Sequence, residues 1–133
     1  MLTTRQTDIL IAAGVAKADA VGVAVNIAVL DAGTQLKAFR RMDGAVLGAI
    51  DVALRKARTA VLFECPSEAV WDYCQPGAPA PGLELSNGGL APFAGGIPLR
   101  GMDGSLIGAV GVSGGSVPQD QEIAAAAAAA LPL

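Results

Sequence analysis

Two adjacent arginines and an aspartate, Arg40, Arg41 and Asp43, form the charged cluster best suited to binding an anion. They fall where a predicted strand meets the start of a predicted helix, and a guanidinium together with helix-end N–H groups binds carboxylates well. We therefore consider Arg41 as an anion clamp, with Asp43 beside it as a ligand contact. Asp43 also has a simpler role, because aspartate is a favoured N-cap residue. Since successive strand side chains point to opposite faces, only one of the two arginines can face a given pocket.

Lys56 is a second candidate for binding an acidic group. It falls on the predicted helix that follows Asp43, beside Arg55 and Arg58. Its ammonium could pair with a carboxylate of a ligand or of a neighbouring subunit. The alternative is that the three basic residues form a solvated patch on the helix surface.

The polar residues of a long loop are the next candidates for ligand contacts. Between positions 75 and 96 the chain is rich in proline and glycine, and loops of this length are uncommon unless they are functional. The pattern leaves open whether this segment is a lid or a connection. Its polar residues and adjacent glycines either line the mouth of a ligand site or simply contact water; they are Glu84, Ser86, Asn87, Gly88 and Gly89.

The segment over positions 107–115 is both apolar and rich in glycine. Glycine weakens a strand unless a ligand or another backbone approaches closely. The pattern therefore indicates either a flat floor for a planar ligand or a surface on which another element or subunit packs. Ser113 is a candidate ligand contact here, but the sequence has no histidine to serve as the base for a serine nucleophile. The glycines are Gly108, Gly111, Gly114 and Gly115.

Composition excludes several classes of function. The absence of histidine removes the commonest general base and the commonest metal and haem ligand. Cys65 and Cys74 are too few for a disulfide framework and lack the spacing of a zinc site, so we expect reduced thiols and no structural metal. A net charge of −3 without a basic stripe argues against nucleic acid as a partner.

No apolar run reaches the length of a membrane span and the first residues carry no signal pattern, so we expect a cytoplasmic protein without a membrane partner.

Helix caps, apolar periodicity and turns predict the elements that position these residues. Thr3 and Gln6 form a capping box for a first helix that ends at Gly22. Apolar alternation and turn residues predict two hairpins, with strands over 23–30 and 35–42 and over 97–100 and 105–112. Three more helices are predicted, over about 45–64 with Asp43 as its cap and Pro66 after it, over 67–74 capped by Ser67, and through the alanine run to Leu131 capped by Asp120.

This order of elements predicts one α+β domain over residues 1–133. Its antiparallel sheet has four or five strands and is flanked by helices. Hydrophobic residues make up 53% of the chain and charged residues only 16%. A chain this apolar is expected to cover surface in a homo-oligomer, because obligate interfaces resemble a divided core.

Four segments together resemble one known family. They are Arg-Arg-Met-Asp-Gly-Ala at 40–45, Lys-Ala-Arg-Thr-Ala at 56–60, Gly-Gly-Ile-Pro-Leu at 95–99 and the glycine-rich segment at 107–115. The sequence from about position 21 to the end resembles the GlcG/HbpS-like haem-binding family, which also forms the C-terminal domain of PduO-type corrinoid adenosyltransferases. The resemblance implies a profilin-like α/β sandwich, haem or another tetrapyrrole as ligand, and a dimer-based oligomer of up to an octamer.

The missing histidine limits how such a site could hold iron. Without histidine, the iron ligand must be a tyrosine, cysteine or methionine side chain, or solvent. The candidates in this sequence are Tyr73, Cys65, Cys74, Met42 and Met102.

Three kinds of function follow from these observations. The first is a small-molecule binding protein for a planar or carboxylate-bearing ligand. The second is a cofactor-independent enzyme of the isomerase or lyase type, acting on an acidic or carbonyl metabolite. In that enzyme Arg41 would orient the substrate, and Asp43, Glu84 or Lys56 would move a proton. The third is an interaction protein whose glycine strand and alanine helix serve only assembly. We expect the first.

Overall fold

The computed structural model describes residues 1–131 of the 133-residue chain. The predicted single domain also includes residues 132 and 133, which lie outside the described part. The α+β class is confirmed. In chain order, the elements are α1 (Thr4–Val21), β1 (Asn26–Asp31), β2 (Leu36–Arg41), α2 (Ala49–Phe63), a 3-10 helix (Ser67–Val70), α3 (Trp71–Cys74), a second 3-10 helix (Leu83–Leu85), β3 (Gly96–Arg100), β4 (Leu106–Ser113) and α4 (Val117–Ala129).

The described strands form one antiparallel sheet in the order β2-β1-β4-β3. The two predicted hairpins therefore lie side by side, with β1 and β4 paired at the centre. Ile27 and Val29 of β1 belong to the main core on one face, whereas Leu30 packs against α2 on the other. Because β1 is buried on both faces, it consists of a nearly continuous apolar run rather than a simple alternation.

Helices cover both faces of the sheet. Helices α1 and α4 pack against each other, and α4 lies on β3 and β4, while α2 crosses the opposite face over β1, β4 and β3. Strand β2 is a largely exposed edge. The main core lies between the sheet and the α1–α4 layer, and its fully buried members include Leu10, Ile27, Val29, Val110, Val112, Ile123 and Ala124.

Two residues of β4 have no side chain, and this allows α2 to approach at Gly111 and the backbone of β1 to approach at Gly108. A Cβ added at Gly111 would lie 2.1 Å from the carbonyl oxygen of Ala53 and 2.6 Å from the backbone nitrogen of Ala57. One added at Gly108 would lie 2.2 Å from the carbonyl oxygen of Leu30. At these two positions glycine therefore permits packing within the subunit, which is one of the alternatives that the sequence left open.

The first helix begins and ends as predicted, but the second does not. The Thr3 hydroxyl accepts a hydrogen bond from the backbone N–H of Gln6 at 3.1 Å, and α1 ends at Gly22, which has a φ of 84°. Helix α2 begins only after Gly48, which offers no side-chain cap, and Asp43 is exposed five residues upstream of it. Asp43 is therefore not the cap. The helix starts late because two turns precede it, closed by Ala45 N–H to Met42 C=O and Ala49 N–H to Val46 C=O.

Two other predicted caps are also wrong. The 3-10 helix Ser67–Val70 follows Pro66, and the Ser67 hydroxyl instead donates to the carbonyl of Phe93 at 2.6 Å. Helix α4 is capped by Ser116, with Gln119 completing a capping box. Asp120 lies inside the first turn of α4, where it is buried and bonded to another element.

Candidate functional site

The buried partner of Asp120 is Lys56. The Lys56 Nζ donates to Asp120 Oδ2 at 3.0 Å and to the carbonyl of Val112 at 2.9 Å, and lies 5.2 Å from the centre of the Phe93 ring. Asp120 Oδ1 accepts from the backbone N–H of Gly115 at 2.9 Å. Burial lowers the pKa of Lys56, and the hydrogen bond and charge of Asp120 oppose that effect. The solvated-patch interpretation is therefore wrong for Lys56, which joins α2 to β4 and α4.

The segment before β3 is attached to α2 and to the 3-10 helix that follows it by side-chain hydrogen bonds. The backbone N–H of Ala91 donates to Thr59 Oγ1 at 3.0 Å, and that of Gly96 donates to Ser67 Oγ at 2.9 Å. Since Ser67 also donates to the Phe93 carbonyl, it holds both ends of this turn. A Cβ at Gly95 would lie 2.7 Å from Lys56 Nζ, so only glycine leaves room for the ammonium. These contacts fix Phe93 above the buried ion pair.

Phe93 forms one wall of an apolar surface cleft, which we call the aromatic cleft. It has a volume of about 560 Å³, within the range of small-molecule sites. Trp71 and Phe93 are 45% and 40% exposed there, although the whole chain has only five aromatic residues. Because Trp71 begins α3 and Val117 begins α4, the cleft lies where these helices meet the turn before β3. Its lining residues are Glu68, Trp71, Pro92, Phe93, Ala94 and Val117.

Glu68 supplies the charged group of this lining. Its Oε2 atom is shielded from water and has no hydrogen-bond partner within residues 1–131. Burial, followed by the charge of Glu68, raises the pKa of the nearby Cys65 thiol. An apolar cleft with two aromatic walls can hold a flat molecule.

The predicted loop residues are held against the outer face of α2. Arg55 donates to the carbonyls of Gly88 and Gly89 at 2.7 and 3.1 Å, and Arg58 donates to the carbonyl of Asn87. The segment is thus attached to α2 through its backbone carbonyls, and it includes a 3-10 helix that the sequence did not predict.

Glu84 lies in that 3-10 helix and interacts with Cys74. Hydrogen bonding to its own backbone amide, followed by the Cys74 thiol, lowers the pKa of Glu84. Burial, followed by Glu84, raises the pKa of Cys74, which is only 4% exposed.

The remaining predicted ligand residues lie at the same end of the sheet but not in the aromatic cleft. Arg41 is exposed at the end of β2 and pairs in register with Asn26, which pairs in turn with the buried Ser113. Because β2 and β3 are opposite edges, Arg41 lies about three strand spacings, roughly 14 Å, from the line of β3. The predicted ligand residues therefore do not converge on one pocket, and their binding roles stay predictions.

The residues that line the aromatic cleft were not predicted from the sequence. A usable signal was present, since Trp71 and Phe93 flank the long loop in a chain with few aromatic residues. Because more than twenty positions separate them, the sequence did not indicate that the two rings line the same cleft. Hydrogen bonds of Thr59 on α2 and of Ser67 on the following 3-10 helix bring the end of the loop back beside Trp71.

A larger groove of about 670 Å³ lies between α1 and β2. It carries Asp8, Asp19 and Arg40 among apolar residues, and it is therefore less suited to an apolar ligand than the aromatic cleft. Within residues 1–131 no cluster of three or more acidic, cysteine or histidine side chains could hold a metal ion. None of the helices in this part combines the length and low charge that a membrane span requires.

Comparison with known proteins decides the family. The family described as haem degrading protein HbpS-like matches residues 2–129. The chain belongs to the HbpS-like family. The sequence-based resemblance is thus confirmed, together with its fold.

Similarity to individual proteins supports the same family. The corrinoid adenosyltransferase PduO of Salmonella typhimurium is 41% identical over 121 residues, which cover 90% of this chain but only 35% of PduO. The chain thus spans about a third of the length of that relative. Protein GlcG of Escherichia coli is 37% identical over 113 residues, covering 85% of this chain and 81% of GlcG. The solved PduOC:heme complex superposes with a TM-score of 0.91 at 38% identity, covering 97% of this chain and 94% of that one.

Proposed function

We propose that this chain binds a flat, largely apolar small molecule, haem or a related tetrapyrrole, in the aromatic cleft. The observation that carries the proposal is the pair of exposed rings, Trp71 and Phe93, in one apolar cleft of about 560 Å³. The haem complex of PduOC, a structural relative with 38% identity, supports the same class of ligand.

The size of the cleft and its apolar, aromatic lining suit the flat ring of haem. Planar rings pack favourably on tryptophan and phenylalanine, and Val117 with Pro92 extends the apolar surface. Glu68 also lines the cleft, but its Oε2 atom is shielded and is not open to an occupant. The lining contains no arginine or lysine, so acid groups of the ligand would remain in water at the open side. Haem, when bound, supplies iron-centred redox and oxygen chemistry.

The chain's own residues make the cleft rigid before any ligand enters. Ser67 and Thr59 hold the turn that carries Phe93, and Lys56 lies beneath the Phe93 ring. Since the ammonium is neutralised by Asp120, it supports the ring without attracting an acid group directly. A site that is already ordered loses less conformational entropy on binding.

The cleft is tested by titrating hemin into the protein while recording the Soret absorbance and the fluorescence of Trp71. Trp71 is the one tryptophan of the chain, so its quenching reports directly on the cleft. Phe93→Ala should weaken hemin binding ~10-fold through the lost ring contact. Phe63→Ala is the matched control, because Phe63 is 37% exposed and lies outside the cleft. Equal affinities in both variants, or no saturable binding by the wild type, would refute the proposal.

Arg41→Ala distinguishes the cleft from the sequence-based anion clamp. A clamp on a ligand carboxylate predicts a loss of about 1–3 kcal/mol of binding free energy. The aromatic cleft alone predicts no loss, because Arg41 is at the opposite edge of the sheet. Calorimetry with hemin on the folded variant separates the two.

We also propose that the chain self-associates. Val46 and Leu47, in the turns before α2, are 63% and 68% exposed, and Leu36 on the edge strand is 59% exposed. Exposed apolar residues at adjacent positions are typical of a surface that another subunit covers.

A further inference from the structure

Helix α2 has an outward side on which apolar and charged residues are exposed together. These residues recur at intervals of three or four positions, the spacing that brings side chains to one side of a helix. They are Leu47 in the turn before the helix, then Asp51, Arg55, Arg58 and Leu62, and we call this row the outer stripe. Leu47 and Leu62 are 68% and 39% exposed, and the side chain of Asp51 is 68% exposed.

The rest of the described chain covers the outer stripe only in part. Arg55 and Arg58 donate to the carbonyls of the long loop at 87–89, so the loop lies along one side of the row. Along the other side, an open groove of about 360 Å³ separates α2 from the β1–β2 hairpin. The apolar residues of that groove are Leu30, Leu36 and Leu54. Leu36 is 59% exposed, which adds apolar surface beside the stripe.

The outer stripe is complementary to its own reversed copy. When a second α2 lies antiparallel to the first, with a two-fold axis midway between positions 54 and 55, each residue faces the one equally far beyond that axis. Asp51 of one copy then faces Arg58 of the other, and Leu47 faces Leu62. The two-fold axis repeats both pairs, as an interface that uses the same patch on both subunits requires.

Both charged groups have atoms left for a partner. Asp51 Oδ2 accepts from Arg55 Nε at 2.6 Å, whereas Asp51 Oδ1 accepts no hydrogen bond from the part of the chain that the structure describes. Arg58 uses its Nη1 on the carbonyl of Asn87, which leaves Nη2 for a carboxylate. The charge of Arg55 is already met by Asp51 and by two loop carbonyls.

We propose that the outer stripe is a two-fold interface at which a second copy of this chain binds with its α2 antiparallel. This assignment rests on the proposed self-association and names the surface that carries it. Two Asp51–Arg58 ion pairs form across the axis, and Leu47 packs on Leu62 at each end. The charges also fix the direction, because a parallel pair in register would place Asp51 against Asp51.

The test reverses one charge at a time and then both. Sedimentation velocity measures the dissociation constant of the wild type, Asp51→Arg, Arg58→Asp and the double variant. Each single reversal should weaken self-association at least ~10-fold, because both unlike pairs become like pairs. The double variant should regain most of the lost affinity, since it restores both pairs with their signs exchanged. Glu122→Arg is the matched control, because Glu122 is half-exposed on α4 and lies outside the stripe.

Each outcome separates this interface from the proposals it builds on. If both single reversals keep the wild-type dissociation constant, the copies meet through another surface and the assignment is overturned. It is also overturned if the double variant dissociates as readily as the single ones, because the two charges then do not face each other. If the wild type is monomeric at every concentration, self-association itself fails. Hemin affinity should stay unchanged in every variant, since the aromatic cleft shares no residue with the outer stripe.

Discussion

At the scale of single residues, one buried ion pair connects three elements. Lys56 on α2 and Asp120 on α4 are 1% and 3% exposed at their side chains, and Lys56 also bonds to the backbone of β4. Removing two charges from water is expensive, and the expense is offset only by close geometry and by further hydrogen bonds. Asp120 meets this condition, since its second oxygen accepts from Gly115.

Asp120→Asn should lower the free energy of unfolding by about 3–5 kcal/mol, because it leaves the Lys56 ammonium buried without a counter-charge. The double variant Lys56→Met with Asp120→Asn should be less destabilised than Asp120→Asn alone. Glu122→Gln is the control, since the exposed Glu122–Lys17 pair should contribute only about 0–1 kcal/mol. Urea unfolding measures all three, and an unchanged midpoint for Asp120→Asn would contradict the argument.

The Cys74 thiol should react slowly in the folded protein. It is 4% exposed, and burial together with Glu84 raises its pKa. Because the thiolate is the reactive species, labelling by a thiol reagent should be slow at neutral pH and should accelerate as the pH rises. Labelling of the Cys65→Ser variant, with and without urea, measures this. A folded-state rate equal to the rate in urea would show that the thiol is accessible.

At the scale of elements, the approach of α2 to the sheet depends on what β4 lacks. Backbone atoms of α2 occupy the space that a Cβ at Gly111 would need. Small residues on the helix, Ala53, Ala57 and Ala60, are fully buried at this contact. Since α2 also carries Lys56 and Thr59, its distance from the sheet determines the position of the ion pair and of the turn with Phe93.

Gly111→Ala should destabilise the fold by about 1–3 kcal/mol or more, because the added carbon forces α2 away from β4. Gly48→Ala is the matched control. Gly48 has a φ of −60° and open space around its Cα, so alanine there should change stability by less than about 1 kcal/mol. Thermal unfolding followed by circular dichroism compares the two variants. Equal melting temperatures would refute the close-contact argument.

The two helices with disputed caps give a paired test. Ser116→Ala should lower the free energy of unfolding by about 1 kcal/mol, because the Ser116 side chain caps α4 by accepting from the backbone N–H of Gln119. Asp43→Ala should change stability by less than about 0.5 kcal/mol, since Asp43 is exposed and distant from the start of α2. Urea unfolding of both variants provides the comparison. A larger effect for Asp43→Ala would restore Asp43 as a cap.

At the scale of the whole molecule, both sheet edges discourage pairing with another sheet. The exposed edge β2 carries Lys37, Arg40 and Arg41, and like charges oppose the pairing of two copies. The other edge, β3, contains Pro98, which has no backbone N–H to donate. Self-association would therefore use side-chain surfaces such as the one around Leu47.

We expect the protein in solution to be larger than its monomer mass of 13.2 kDa. Sedimentation velocity over a range of concentrations measures the assembly. Leu47→Glu should shift the distribution towards the monomer, because it places a charge on the exposed apolar turn. A 13.2 kDa species at every concentration would show that the wild type does not self-associate.

The sequence by itself determined the class of the fold, the hairpins and the family. These depend on local signals, namely the Thr3 capping box, the Gly22 stop, the two turns and the apolar runs, and local signals remain near one another after folding. The glycine-rich strand could be predicted for the same reason, because its composition is a property of the local sequence. The caps could not be predicted in this way, since Gly48 and Pro66 precede their helices without a side-chain cap and Ser116, not Asp120, caps α4.

Only the tertiary structure decided where the chemistry lies. Lys56 and Asp120 are 64 positions apart, and no local pattern distinguishes a buried lysine from an exposed one on the same basic helix. Trp71, Phe93 and Val117 form one cleft because Thr59 on α2 and Ser67 on the following 3-10 helix hold the turn before β3. Long-range hydrogen bonds and burial create both features, and these depend on the packing of all the elements together.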